Sequence, residues 1–304
     1  MAVSLTKGRI PMDEKKSKKK LLSKILYYVL LGFFGLVFVF SAIYIGDYLI
    51  ESAKAGEEYK NLQEQYVPPS RPPITEPSES TGETLDPSTD ATEVIDPSVS
   101  TEPPVPTEPT ILPELQPFYE QNSDLVGWIC IPDTDINFPV VQSPDRPNYY
   151  LNHTFEHTYN DRGAIYVREQ CDVFAPSDNI TIYGHHMKTG YKYSTMFRDL
   201  DGYRKKSFWE THQYVYFDTL YERHTYQVIA VFKTSANFGE GFSYHLFDNA
   251  TDEEDFNEFV ATAKSLSYYD TGISAQYGDK LITLSTCEYS LNNGRLVVIA
   301  KRVA

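Results

Sequence analysis

Three residues in this sequence carry side chains suited to acyl transfer, and each falls where an apolar run gives way to polar residues. Cys287 follows Leu281-Ile282-Thr283-Leu284-Ser285-Thr286 and precedes Glu288-Tyr289-Ser290 and a turn-like Asn292-Asn293-Gly294. A thiol at the end of a buried strand can act as a nucleophile, since strand ends and their loops are where sites are built. By position alone it is equally well an inert buried cysteine. His185 stands in the same situation, after Asn179-Ile180-Thr181-Ile182-Tyr183 and Gly184. An imidazole there can move a proton near neutral pH, or be an ordinary polar turn residue. Arg295 follows Gly294 and opens the last apolar run, Leu296-Val297-Val298-Ile299. Its guanidinium can hydrogen-bond a developing oxyanion, or serve as an edge charge that limits aggregation.

Other chemistries find less support. His185 and His186 project to different sides of an extended chain and make a poor metal pair. The cysteines are three, Cys130, Cys171 and Cys287, with no CxxC pair and no Cys/His ligand spacing. Neither a structural zinc site nor any cofactor is expected. In an oxidising compartment a Cys130–Cys171 bridge is open, which leaves Cys287 as the odd thiol.

The elements that must position these residues are short. Apolar runs at 127–131, 138–141, 164–168, 180–183, 214–218, 224–233, 280–285 and 295–302, separated by turn residues, predict an antiparallel β-barrel or sandwich. Helical spacing of Leu115, Phe118, Tyr119, Leu125 and Val126 predicts a helix over 115–126. A second helix is predicted from Thr251-Asp252-Glu253-Glu254, a cap and acidic first turn, with Phe256, Phe259, Val260, Ala263 and Leu266 on one face. A folded domain over 113–304 is a normal size for one core.

The front of the chain is built differently. The first 24 residues carry eight Lys/Arg against Asp13 and Glu14, and residues 25–46 carry no charge. With −15 overall and +6 on this leader, the rest carries −21, which argues against nucleic acid as a partner. As a helix the uncharged run spans about 33 Å, enough to cross a bilayer. It is longer than a usual signal-peptide core, so an uncleaved single-pass anchor is expected. The lysines from Lys15 to Lys24 predict a cytoplasmic basic segment over 1–24 and an outward-facing remainder. Residues 47–112 are expected to be an extracellular, acidic, Pro-rich linker, with 47–66 able to continue as a short polar helix. Twelve of the 19 prolines lie between Val67 and Pro113. Such a spacer reaches from ~40 Å as a coil to ~145 Å as polyproline II and would carry a domain away from the bilayer.

Taken together, Thr283-Leu284-Ser285-Thr286-Cys287, Tyr183-Gly184-His185-His186-Met187 and Gly294-Arg295-Leu296-Val297-Val298 resemble the three signatures of the sortases, cysteine transpeptidases of Gram-positive bacteria. Val126-Gly127-Trp128-Ile129, Ile136-Asn137-Phe138-Pro139-Val140-Val141-Gln142 and Tyr149-Tyr150-Leu151-Asn152-His153 resemble class B in particular, as do the helix from Glu253 and Tyr269-Asp270-Thr271-Gly272. The resemblance covers about 113–304 and gives no support to the long spacer. It implies a mainly β fold, an eight-stranded barrel with an N-terminal helix and a long helix before the Cys-bearing strand. It also implies His185, Cys287 and Arg295 as the catalytic trio, with Ser285 and Asn152 beside the substrate. The implied partners are surface proteins bearing a C-terminal sorting signal and a peptidoglycan precursor that supplies an amine. A membrane-tethered β-barrel without catalysis, displayed for adhesion, is the alternative. A different cell-wall transpeptidase would need a Ser/Thr-His-Gly-Cys block, which is absent.

Overall fold

The computed structural model describes residues 12–71, 109–187, 195–237 and 239–304. Most of the expected Pro-rich spacer, 72–108, lies outside the described residues, as does the start of the basic leader.

Eight strands form a closed barrel. They are β1 (Leu125–Cys130), β2 (Asn137–Val141), β3 (Ile165–Val167), β4 (Asn179–Tyr183), β5 (Tyr214–Thr219), β6 (Thr225–Ser235), β7 (Leu281–Glu288) and β8 (Gly294–Arg302). Their order around the wall is β1-β2-β3-β4-β7-β8-β6-β5, with β5 pairing back to β1. Two neighbouring pairs run parallel, β2 with β3 and β4 with β7; the others are antiparallel. The mainly β, eight-stranded barrel expected from the sequence is the observed fold.

The apolar run of β8 is continuous because both of its faces are covered. Leu296, Val298 and Ala300 join the main core, whereas Val297 and Ile299 face a second cluster with Ile229, Phe232 and Tyr244. Helix α4 (Glu253–Leu266) roofs that cluster with Phe256, Phe259, Val260 and Ala263. The Asp252 side chain caps it, accepting from the Asp255 backbone N–H at 3.0 Å, and the acidic first turn complements the helix dipole. The expected helix before the cysteine strand is therefore present.

Three expectations shift. The helix predicted over 115–126 is only one turn and a half, α2 (Gln116–Gln121). Asn122 stops it, its side chain accepting from the Asp124 N–H at 2.8 Å, and Leu125 and Val126 enter β1 instead. Strand β7 continues past Ser285 to Glu288, because β8 pairs with it along that whole length. A 3-10 helix (Phe197–Arg204) and the short α3 (Lys206–Thr211), both unpredicted, cover the barrel between β4 and β5.

The largest addition concerns residues 47–71, assigned to the linker with 47–66 able to continue as a short polar helix: the helix is present, and it docks on the barrel. Helix α1 runs unbroken from Met12 to Gln65. Its apolar part exposes its side chains, whereas Ser52, Ala55, Tyr59, Leu62 and then Tyr66 are buried. That spacing of three and four places them on one stripe, which packs on the barrel. Tyr66 stacks on Trp128 of β1 with centroids 4.0 Å apart, and Phe118 closes on the same indole at 4.9 Å. Tyr59 meets Phe138 edge-on at 5.6 Å. Contacts of this kind add about 0.5–1.5 kcal/mol each beyond the apolar area they bury. The physical reason for the docking is that aromatic residues on a helical stripe supply the burial that the Pro-rich residues lack.

One polar group in this docking face titrates unusually. Glu58 accepts the Glu156 backbone N–H at 3.0 Å, and burial pushes its carboxyl up from 4.5 to about 7. Between those values the docked helix holds a proton that the undocked chain releases, so docking weakens as pH rises through the window. Glu58→Gln is therefore expected to match the native chain in thermal stability near pH 4 and to exceed it near pH 8. Thermal unfolding followed by near-UV circular dichroism checks this, and a pH-independent difference would contradict it.

Candidate active site

Strand register brings distant residues together at one end of the barrel. Strands β4 and β7 are parallel, with Tyr183 opposite Ser285, and both leave the barrel at the same end. His185 lies two residues beyond Tyr183 and Cys287 two beyond Ser285, so both extend the same row of side chains. The Gly184 N–H continues the ladder to the Ser285 carbonyl at 3.1 Å. On the other edge of β7, Cys287 is the direct cross-strand partner of Arg295 on β8. Residues separated by a hundred positions thus line one cleft of about 380 Å³, shared by His185, Ser285, Cys287 and Arg295.

Gly184 is needed where it stands. A Cβ there would lie 2.5 Å from the Ile165 side chain and 2.6 Å from Phe197, so no larger residue fits the packing beneath His185. The His185 Nε2 donates to the Leu151 carbonyl at 2.7 Å, which orients the ring and leaves Nδ1 as the nitrogen that can exchange a proton with the cleft. His186 points the other way. It is buried, its Nε2 lies 2.6 Å from the Asp201 carboxylate, and its carbonyl accepts the Tyr289 hydroxyl at 2.7 Å.

Cys287 and Cys130 are half-buried and Cys171 is buried; all three are free, so no bridge joins Cys130 to Cys171. Burial pushes the Cys130 thiol up to about 11 and the Cys171 thiol up to about 12, which holds both protonated. Arg295 is held by its own turn: Nη1 donates to the Asn293 side-chain oxygen at 3.0 Å and to the Gly294 carbonyl at 2.9 Å. The turn in its place depends on Glu288. That buried carboxylate accepts from the Ser290 N–H at 3.0 Å, the Ser290 hydroxyl at 2.8 Å and the Arg204 guanidinium at 3.0 Å. Burial alone would raise its pKa, but the Ser290 and Arg204 hydrogen bonds outweigh it and hold the carboxyl below its usual range. Arg204 also reaches Asp201 at 2.9 Å, so one network ties the β7–β8 turn to His186.

Ser285 forms part of the cleft wall, with its Oγ 2.6 Å from the Tyr244 hydroxyl. Asn152, in contrast, is not among the residues that line the cleft. Asn148 and Leu151 are, because residues three apart eclipse on the 3-10 turn Tyr149–Leu151, while the next position faces elsewhere. Sequence reading also missed Tyr166, Arg168, Tyr183 and His245, which line the wall. The pairs 166 with 168, 183 with 185, and 285 with 287 share the two-residue strand period, and that period is the signal that could have found them. Burial, then Arg168 and Arg295, push the His245 imidazole down, so it stays neutral near pH 7. Burial likewise raises the phenols of Tyr166, Tyr183 and Tyr244 and keeps them uncharged. The cleft therefore offers a half-buried thiol, an imidazole and a guanidinium in a tyrosine-lined surround that also holds Arg168 and Glu169.

The comparisons with known proteins point one way. The family model for the Sortase domain matches residues 129–303. Sortase B of Staphylococcus aureus is 32% identical over 193 residues, covering 63% of this chain and 75% of that protein. Sortase B of Listeria monocytogenes is 31% identical over 192 residues, covering 62% and 74%. Among solved structures, a Staphylococcus aureus sortase B–substrate complex superposes with a TM-score of 0.57 at 30% identity, covering 64% of this chain and 86% of that one. A domain match of this length, on an eight-stranded barrel whose cleft holds thiol, imidazole and guanidinium, leaves one conclusion. The chain belongs to the sortase family, in class B, and is a cysteine transpeptidase.

Proposed function

We propose that this enzyme cleaves a C-terminal sorting signal after threonine, through a thioester on Cys287, and passes the protein to an amine of the cell wall. The observation that carries the reading is the cross-strand pair Cys287–Arg295 with His185 at the end of the adjacent parallel strand. The thiolate is the competent nucleophile, and a free cysteine supplies only a small fraction of it at neutral pH. A His185 imidazolium beside it favours the thiolate. Attack on the threonine carbonyl forms the C–S bond and moves the electron pair to oxygen, where Arg295 donates hydrogen bonds. Collapse breaks the C–N bond, and the imidazolium gives its proton to the departing amine. The acceptor amine then attacks the thioester, neutral His185 takes its proton, and the thiolate leaves. Ser285, fixed by Tyr244, is assigned to the wall beside the threonine.

The same reading anchors the enzyme through residues 25–46. Helix α1 is long and apolar enough to cross a membrane, and its exposed Leu, Phe, Val and Ile side chains need such a solvent. Lys15 to Lys24 keep the N-terminus in the cytoplasm, which puts the catalytic domain on the cell-wall side. Enzyme, sorting signal and a lipid-linked amine acceptor then share one surface, which raises their effective concentration.

Two outcomes test the assignment. Cys287→Ala is expected to lower kcat/KM for joining a sorting peptide to an amine by ~10³-fold or more, while iodoacetamide mapped by mass spectrometry labels Cys287 well before Cys130 and Cys171. Equal labelling of the three thiols, or turnover by the alanine variant, overturns it. His185→Ala is expected to abolish the acid–base limbs of the pH–rate profile. His186→Ala should keep the shape of that profile and lose stability instead, through the Asp201 contact.

A further inference from the structure

Two features of the front of the chain belong together. The first is that both ends of the Pro-rich segment rest on the same hairpin. Before it, Arg71 pairs with the Asp218 carboxylate, lies 4.1 Å over the Tyr216 ring and donates to the His224 carbonyl at 3.3 Å. After it, the Leu112 N–H donates to the Leu220 carbonyl at 2.7 Å, and Arg223 donates to Glu114 at 3.0 Å. The described residues on either side of 72–108 thus meet at the β5–β6 hairpin. The length of 72–108 cannot set the distance between membrane and barrel.

The second feature is what does set it. Helix α1 has no break between the apolar run and the docked stripe. Clamping starts almost at once: Arg162, itself buried, donates to Ser52 Oγ and lies 5.7 Å from the Tyr48 ring, and Asn160 reaches the Glu51 carbonyl at 3.2 Å. At ~1.5 Å per residue, Ser52 stands only ~9 Å beyond Gly46 along the helix axis. Tyr59 stands ~20 Å beyond it by the same rise. The Tyr59 hydroxyl donates to the Gly163 carbonyl at 2.7 Å. Gly163 has φ +54°, and a Cβ there would meet the Tyr150 and Leu151 carbonyls at 2.3 and 2.6 Å, so glycine is required for this approach. The Leu151 carbonyl in turn holds His185 Nε2. A short series of contacts therefore runs from the helix to the catalytic imidazole.

We propose that α1 is a rigid strut, and that Ser52, Tyr59, Tyr66 and Arg71 clamp the barrel to it as positioning residues. The cleft is thereby held ~20 Å above the lipid at a fixed height. This enzyme then acts on scissile bonds presented close to the bilayer, within about six extended residues of a membrane anchor at ~3.3 Å each. The inference rests on the anchoring reading above and replaces a long flexible tether by a short stiff one.

The test uses the full chain in liposomes that carry lipid-linked maleimides on tethers of ~10, 20, 30 and 40 Å, with soluble N-ethylmaleimide as reference and Cys287 labelling as the readout. Half-maximal labelling is expected near the 20 Å tether. A helix-forming heptad inserted between Gly46 and Asp47 adds ~10 Å while nearly preserving the helical phase, and should move the threshold to the 30 Å tether. At the 20 Å tether the same insertion should slow labelling by roughly tenfold, as effective concentration falls. Doubling or halving the segment 72–108 should move nothing, and soluble N-ethylmaleimide should label all variants alike. A threshold that follows the length of 72–108, or that ignores the heptad, overturns the strut while leaving the anchor intact. If the chain fails to float with the liposomes, so that no tether labels it while the soluble reagent does, the anchoring reading falls and takes the strut with it.

Discussion

The chemistry depends on the register of one strand. Strand β7 is hydrogen-bonded on both edges, to β4 in parallel and to β8 antiparallel, and each pairing fixes a different partner for Cys287. A slip of one residue would turn the thiol to the opposite face and exchange Ile282 and Leu284 with Thr283 and Ser285. The buried apolar residues forbid that exchange, and the Thr283 hydroxyl adds a direct restraint, donating to the Asn179 side chain at 2.8 Å. Parallel pairing matters as much as register. Because β4 and β7 run the same way, their C-terminal ends meet, and imidazole and thiol arrive from the same side.

Around that row most of the large side chains are neutral, with Glu169 the one carboxylate among the described lining residues. Tyr166, Tyr183 and Tyr244 stay neutral because burial disfavours their phenolates, and His245 stays neutral because burial and nearby guanidiniums disfavour its cation. Arg168 is matched by Asp248 at 2.6 Å, so its charge is locally compensated. In such a surround the field of Arg295 is less screened than it would be in water, which is the setting the proposed oxyanion role requires. The network of Glu288, Arg204 and Asp201 lies on the other side of β7. It supports the turn on which Arg295 depends, and uses His186 as a structural member.

Much of this was legible in the sequence. The eight strands were readable as short apolar runs between turn residues, and the helix from Glu253 was readable from its cap and its one-sided phenylalanines. Cys287, His185 and Arg295 each end or begin an apolar run beside glycine or a turn, a weak signal singly; the resemblance to the sortase signatures joined them, and the structure places all three on one cleft. Asn152 falls outside the cleft lining because a single 3-10 turn rotates each successive side chain by about 120°, a shift that no pattern in the sequence announces. The aromatic wall was missed because Tyr166, Tyr183 and Tyr244 come from distant segments and look like ordinary core residues one at a time. Docking of 52–66 was hidden for a related reason: Tyr59, Leu62 and Tyr66 form a stripe, but its complement, Trp128 and Phe138, lies beyond the proline-rich stretch. The expected helix over 47–66 was read as polar, although its Tyr59 and Leu62, with Tyr66 just after them, carry a buried face.

Closure of the barrel has a consequence for how a substrate can be held. With β5 paired back to β1, the sheet closes on itself and has no terminal strand along which an extended peptide could add itself as a ninth. Backbone-directed capture by β-augmentation, which accepts many sequences because it reads only amide groups, is therefore closed to this enzyme. A bound peptide must instead be gripped by side chains of the cleft, one residue at a time. Selectivity among peptides follows from that requirement: a fold without edges compels its ligand to be recognised by what it is made of.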